Sequence, residues 1–176
     1  MFFKQTLSKK ALKGIKSERN VTFLSFAMAK KVSFCFSYNE EGIEQTIKSF
    51  TEFLRNNNIA YSGIGTVMFK TKKQIIHIDE HITVINKSDC NYYGAPPSYK
   101  TAKLFVNEFD IFVDFNTDIN FIQTLLALKT NAVFKIGRIS NESSPYDLVI
   151  EQNEENLGSM AFLNQVYHYL NLIKPA

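Results

Sequence analysis

The sequence predicts an α/β fold: a three-layer, doubly wound, mostly parallel sheet with helices on both faces, preceded by a basic amphipathic N-terminal helix. Three observations predict it. Short apolar runs alternate with amphipathic segments along the chain. A helix of about 17 residues separates the first two strands, which suits a parallel crossover. The run Ile111–Phe115 is apolar throughout, as a strand covered on both faces is. With 176 residues, 45% apolar and 21% charged, the chain can bury a core of its own and lacks the composition of a disordered segment.

Each element has its own signal. Phe3, Leu7, Ala11 and Ile15 recur every four residues, with Leu12 beside them and Lys9, Lys10, Lys13 and Lys16 largely off the stripe. That predicts the N-terminal helix, which Gly14 weakens. Residues 20–29 read as an irregular apolar connector. Val32–Tyr38 is the first strand, and Asn39-Glu40-Glu41 opens a helix to about Asn57 with acids in its first turn. Ile43, Ile47, Phe50 and Leu54 form its buried stripe. Ile59–Phe69 is the next strand. Gln74–Ile78 and His81–Ile85 read as short strands, with a hairpin over Asp79-Glu80 as one arrangement. Asn86–Pro97 is rich in turn formers, and Ser98 is placed as the cap of a helix ending near Glu108. A helix over Asn116–Thr130 follows the strand Ile111–Phe115 and turns Phe121, Leu125 and Leu128 inward. Val133–Ile136 and Leu148–Ile150 are further strands. Glu155–Ile173 closes the fold, with Met160, Leu163, Val166, Tyr167 and Leu170 on one face.

Charge divides the chain at residue 31. The first 31 residues hold eight basic side chains and one acid, a net +7, while the remainder holds 12 basic and 16 acidic, a net −4. Residues 1–31 thus read as a basic helix and connector, and residues 32–176 as a single α/β domain. The segment is basic, amphipathic and poor in acids, like an organellar transit peptide, but richer in Lys than in Arg. No apolar run is long enough to span a membrane. Cys35 lies in the apolar run Val32–Phe36 and Cys90 is far from it, so reduced thiols in a cytoplasmic protein are expected.

One local echo stands out. Glu108-Phe109-Asp110-Ile111-Phe112-Val113-Asp114 parallels Pro145-Tyr146-Asp147-Leu148-Val149-Ile150-Glu151: an aromatic, an Asp, three apolar residues, then a carboxylate. With Phe134-Lys135-Ile136-Gly137-Arg138 between the copies, the loop Asp89-Cys90-Asn91-Tyr92-Tyr93-Gly94-Ala95-Pro96 and the C-terminal Val166–Ile173, this pattern resembles an uncharacterised family of Bacteroidetes proteins. The resemblance covers Val32 to the C-terminus. It implies a cytoplasmic α/β protein and assigns no residue a role.

Candidate chemistry falls in two places. The cations Lys4, Lys9, Lys10, Lys13, Lys16, Arg19, Lys30 and Lys31 can neutralise phosphates without reading base sequence; Phe2 and Phe3 beside them can stack on bases or enter a lipid interface. In open α/β sheets, ligands collect outside the carboxyl ends of the strands. There Ser37 and Asn39 could hold a phosphate, and Asp114, with Asn116, Mg²⁺ or a ribose. The competing reading makes Asn39 and Asn116 helix N-caps and Asp114 a solvated strand end. Gly63-x-Gly65 lies in a strand and lacks the third glycine of a phosphate-binding turn. His77-x-x-x-His81 has helical metal-site spacing in a β-rich context, where that spacing carries no meaning. Lys135-Ile-Gly-Arg138 ends a strand with an Arg read mainly as solvated. No Ser elbow or Cys/His pair suggests a nucleophile. The leading reading is a non-enzymatic binding module docking on RNA or a ribonucleoprotein through its basic N-terminal helix, ahead of a membrane surface. The alternative is a nucleotide- or phosphate-ligand enzyme using Ser37, Asn39, Asp114 and Asn116. No cofactor or metal is specified.

Overall fold

The computed structural model describes residues 19–68, 79–117, 120–139, 145–151 and 158–172. Six parallel strands form one sheet in the order β3-β2-β1-β4-β5-β6: β1 Lys31–Ser37, β2 Ala60–Val67, β3 Ile82–Asn86, β4 Glu108–Asp114, β5 Asn131–Gly137 and β6 Leu148–Val149. Four described helices connect and cover it: α1 Ile43–Asn56, α2 Ser98–Val106, α3 Phe121–Lys129 and α4 Ser159–Leu172. Helices α1 and α4 pack on one face and α2 and α3 on the other. The chain is therefore a doubly wound α/β protein. The expected N-terminal helix and the strand Gln74–Ile78 lie outside the described residues. β3 runs parallel to β2.

The sheet is built around an aromatic ridge on β1. Val32, Phe34 and Phe36 alternate onto the α1/α4 face, and Tyr38 continues the row. Register sets Phe34 opposite Gly63 and Phe36 opposite Gly65 on β2. A Cβ at Gly63 would overlap the Phe34 ring, and one at Gly65 would overlap Phe36 and Tyr38. The two glycines are therefore the floor on which the ridge lies, which accounts for Gly63-x-Gly65 without a phosphate. Phe50 of α1 and Phe162 of α4 close over the ridge through Phe115, with ring centroids 5.4–5.5 Å apart in edge-on contacts. The connector joins this core, since Phe26 packs on Phe50, Phe53 and Tyr167 and Phe23 on Phe134.

Helix boundaries depart from expectation where local signals competed. α1 starts only after Gly42, whose φ of 72° is left-handed, and its stripe Ile43, Ile47, Phe50 and Leu54 is buried as expected. Ser98 is the first helical residue of α2, not its cap; Pro97 occupies the cap position. α3 begins at Phe121, with the Asn120 side chain accepting the Gln123 N–H at 3.1 Å, so Asn116 is not an N-cap. With that start, Ile122, Leu125 and Leu126 turn inward and Phe121 and Leu128 stay half-buried. In α4, Phe162 is buried and Met160 is exposed.

Lys135, on β5, is also buried. Its Nζ donates to the carbonyls of Ala127 (2.6 Å) and Leu128 (3.4 Å), satisfying the last turn of α3. Burial, with Arg19 nearby, pushes its pKa down to about 7, although Asp147 opposes the shift.

Two predictions follow from this packing. Replacing Gly65 by Ala forces the Phe36 and Tyr38 rings aside and should cost about 1–3 kcal/mol in urea unfolding; an unchanged midpoint would show that the ridge yields freely. Between about pH 7 and the unfolded lysine value near 10.4, the unfolded chain binds the extra proton at Lys135. Stability of the wild type relative to Lys135→Met should therefore rise from pH 7 to pH 10, and a flat difference would refute the buried neutral amine.

Candidate functional site

Strand order reverses between β1 and β4, where ligand crevices of open α/β sheets form at the carboxyl ends. The side chains there bond to one another. Asp114 at the end of β4 is 2% exposed and Asn116 3%. Asp114 Oδ1 accepts the Asn116 backbone N–H (2.9 Å) and side-chain Nδ2 (2.6 Å), while Oδ2 accepts the Tyr146 hydroxyl at 2.5 Å. Asn116 also donates to Cys35 Sγ at 3.4 Å and accepts from Gln123 Nε2 at 2.8 Å. Burial raises the Asp114 carboxyl above its ordinary value, outweighing the hydrogen bonds that lower it. Burial and the adjacent Asp114 likewise raise the Cys35 thiol. Gly137 is required beside this network, because a Cβ there would meet the Tyr146 ring at 2.5 Å.

Across the same crevice, Arg138 at the end of β5 is buried. It donates to Glu40 Oε1 at 2.5 Å and to the Phe115 carbonyl at 2.8 Å, and its guanidinium lies 5.3 Å from the Phe162 ring centroid. The solvated reading of Arg138 is thus corrected: it crosses from β5 to the β1–α1 loop as a buried ion pair. Ser37 and Asn39 remain nearer the surface, where Ser37 Oγ accepts the Asn39 N–H at 3.3 Å. Adjacent strands carry the four predicted pocket residues, but Asp114 and Asn116 face inward and away from a ligand's reach. Asp114 is not a solvated strand end either. Glu40, Gln123 and Tyr146 were not singled out by sequence; Tyr146 lies in the echo, which is the one signal that marks it.

The cationic residues divide differently. Lys4, Lys9, Lys10, Lys13 and Lys16 lie outside the described residues. Arg19 forms a two-pronged ion pair with Asp147 (2.8 and 2.9 Å) and donates to the carbonyl of Ala132 at 3.0 Å. Its charge is spent on the amino end of β5. The backbone N–H groups of Lys30 and Lys31 both donate to Asp110 Oδ2, at 2.7 and 2.8 Å, leaving their exposed side chains free to point outward from the amino end of β1. Asp110 and Asp147 are the entering aspartates of the two echo copies, and both fasten the N-terminal segment to the sheet. His81 is exposed just before β3, and His77 lies outside the described residues. Among the described residues, no three His, Cys, Asp or Glu side chains cluster as metal ligands, and no helix is long and apolar enough to cross a membrane.

The sequence pattern of a family of unknown function, DUF6913, matches residues 2–173. The chain belongs to that family. No curated protein and no solved structure is detectably similar to it. For this DUF6913 chain, the match takes in both the basic N-terminal segment and the α/β domain as one unit.

The buried carboxyl makes a testable prediction. The folded chain holds Asp114 protonated to higher pH than the unfolded chain does, so its ionisation opposes folding above about pH 4. Stability of the wild type relative to Asp114→Asn should be greatest below pH 4 and decline as pH rises toward neutrality. A wild type that instead gains on the variant with rising pH would mean that the hydrogen bonds dominate.

Proposed function

We propose that this protein is a non-enzymatic binding module of the bacterial cytoplasm that docks on RNA or a ribonucleoprotein through its basic N-terminal segment. The observation that carries this reading is the mooring of that segment. Arg19 is held at the amino end of β5 and Lys30-Lys31 at the amino end of β1, so residues 1–18 leave from a fixed edge of the sheet. Five lysines then precede Arg19, against one acid. A moored cationic segment loses less freedom on docking than a free one, which favours association. At the carboxyl end of the strands, Asp114, Asn116, Gln123 and Tyr146 are engaged with each other, which supports binding rather than catalysis. A membrane surface ranks below RNA because the segment's repeated charge suits a polyanion, whose phosphates it can neutralise along their length.

The test is a salt titration of binding to a short oligouridylate by fluorescence anisotropy. Neutralising Lys9, Lys10, Lys13 and Lys16 to Gln should weaken binding and lower the slope of log affinity against log salt by about 0.7 per lost phosphate contact. Melting should change by no more than about 0.5 kcal/mol if these side chains are solvated. Wild-type protein that binds no oligouridylate at low salt refutes the reading.

A further inference from the structure

We infer that a second phosphate-binding element lies on the domain itself, in a cleft at the amino edge of the sheet. This rests on the reading that the N-terminal segment docks on RNA, and it adds a site the segment does not contain. The cleft, of about 260 Å³, is lined by Lys31, Tyr61, Ser62, His81, Lys103 and Asn107, with Ala60 and Phe109 at its base. No carboxylate lines it. Two ammonium groups, an imidazole, hydroxyls and a carboxamide supply donors only a negatively charged oxygen cluster can use together.

The doubly wound topology explains why cations gather there. Helices run opposite to the strands, so their C-terminal ends meet the amino edge of the sheet. Each of α1, α2 and α3 carries a cation in its last turn, Arg55, Lys103 and Lys129, where the helix dipole favours positive charge. Lys30 and Lys31 begin β1 at the same edge, and both are exposed, as are Lys103 and Lys129. The neighbouring carboxylates do not cancel this charge. Asp79 is taken up by the Tyr61 hydroxyl (2.6 Å), Arg55 (3.2 Å) and the His81 N–H (2.8 Å). Asp110 is held by the Lys30 and Lys31 amides. Glu80 lies 3.9 Å from His81 Nε2 on its solvent side, outside the cleft.

Continuity selects the occupant. Arg19, the end of the cationic segment, sits at β5, two strands from Lys31 on β1, or about 10 Å at the usual interstrand spacing. A single-stranded RNA backbone engaged by the segment can therefore continue into the cleft, where Lys31 and Lys103 clasp one of its phosphates.

The experiment uses the full chain in three forms: wild type, Lys31→Gln/Lys103→Gln, and the variant with Lys9, Lys10, Lys13 and Lys16 neutralised. Oligouridylate affinity is measured against salt for each. The cleft variant should lower the slope by about 1.4, from two contacts of about 0.7 each, and Lys31→Arg/Lys103→Arg should restore it. Equal melting temperatures of the Gln and Arg pairs exclude a folding defect. A cleft variant with the wild-type slope, beside a segment variant that loses binding, overturns the cleft and leaves the segment reading standing. The reverse pattern upholds the cleft and removes the segment. Binding of inorganic phosphate that matches oligouridylate per site in affinity overturns the RNA backbone as occupant, as does the absence of oligouridylate binding by the wild type.

Discussion

The structure depends on one packing arrangement: the aromatic ridge of β1 lying across the glycines of β2. Strands β1 and β2 are neighbours in the middle of the sheet, and side chains directly opposite each other compete for the same space. Placing Gly63 and Gly65 opposite Phe34 and Phe36 resolves that competition and lets the rings lie over the neighbouring strand. α1 and α4 then close on the exposed ring edges through Phe50, Phe115 and Phe162. A one-residue slip of register would set side chain against side chain and turn the ridge to the wrong face. The arrangement thus fixes register, the spacing of the helix layer and the position of the β1–α1 loop that carries Glu40.

From that position the crevice at the strand carboxyl ends acquires its character. Glu40 meets Arg138 from β5, and Arg138 lies on Phe162 of α4, so three elements are joined by one buried cation. On the other face, Asp114 draws donors from Asn116 and Tyr146. Burying two carboxylates and a guanidinium is costly unless each is bonded, and the bonding they find is with one another. The opposite edge follows different rules. Helix C-termini favour cations there, the strand starts add more, and the side chains remain in water.

The N-terminal segment links these two regimes. Asp110 and Asp147 occupy equivalent places in the echoed strands β4 and β6 and each spends its carboxylate on residues 19–31. The aromatic side chains of the connector, Phe23 and Phe26, complete the core between them. What precedes Arg19 is therefore tied to the same edge that bears Lys31 and Lys103. This geometry gives the charge division of the sequence a physical location: positive charge accumulates on one edge, and the other is closed by paired groups.

The sequence by itself determined the α/β class, the parallel β1-α1-β2 unit, the buried stripe of α1 and the burial of Cys35, because each rests on a period of two or 3.6 residues or on unbroken apolar runs that are local in the chain. It also marked Asp110 and Asp147 through their repeated setting. Tertiary structure alone decided which asparagine caps α3, since Asn116 and Asn120 both precede helix-forming residues and only the Asp114–Gln123 network claims the first. It alone decided that Arg138 is buried, because its partner Glu40 stands 98 residues away and is brought near by strand order. Lys135 is the same case: an amine in a strand reads as solvated until the C-terminal carbonyls of α3 are placed over it. Local periodicity specifies which face a residue takes, whereas the partner waiting on that face is set by register and layer packing, which no short window of sequence contains.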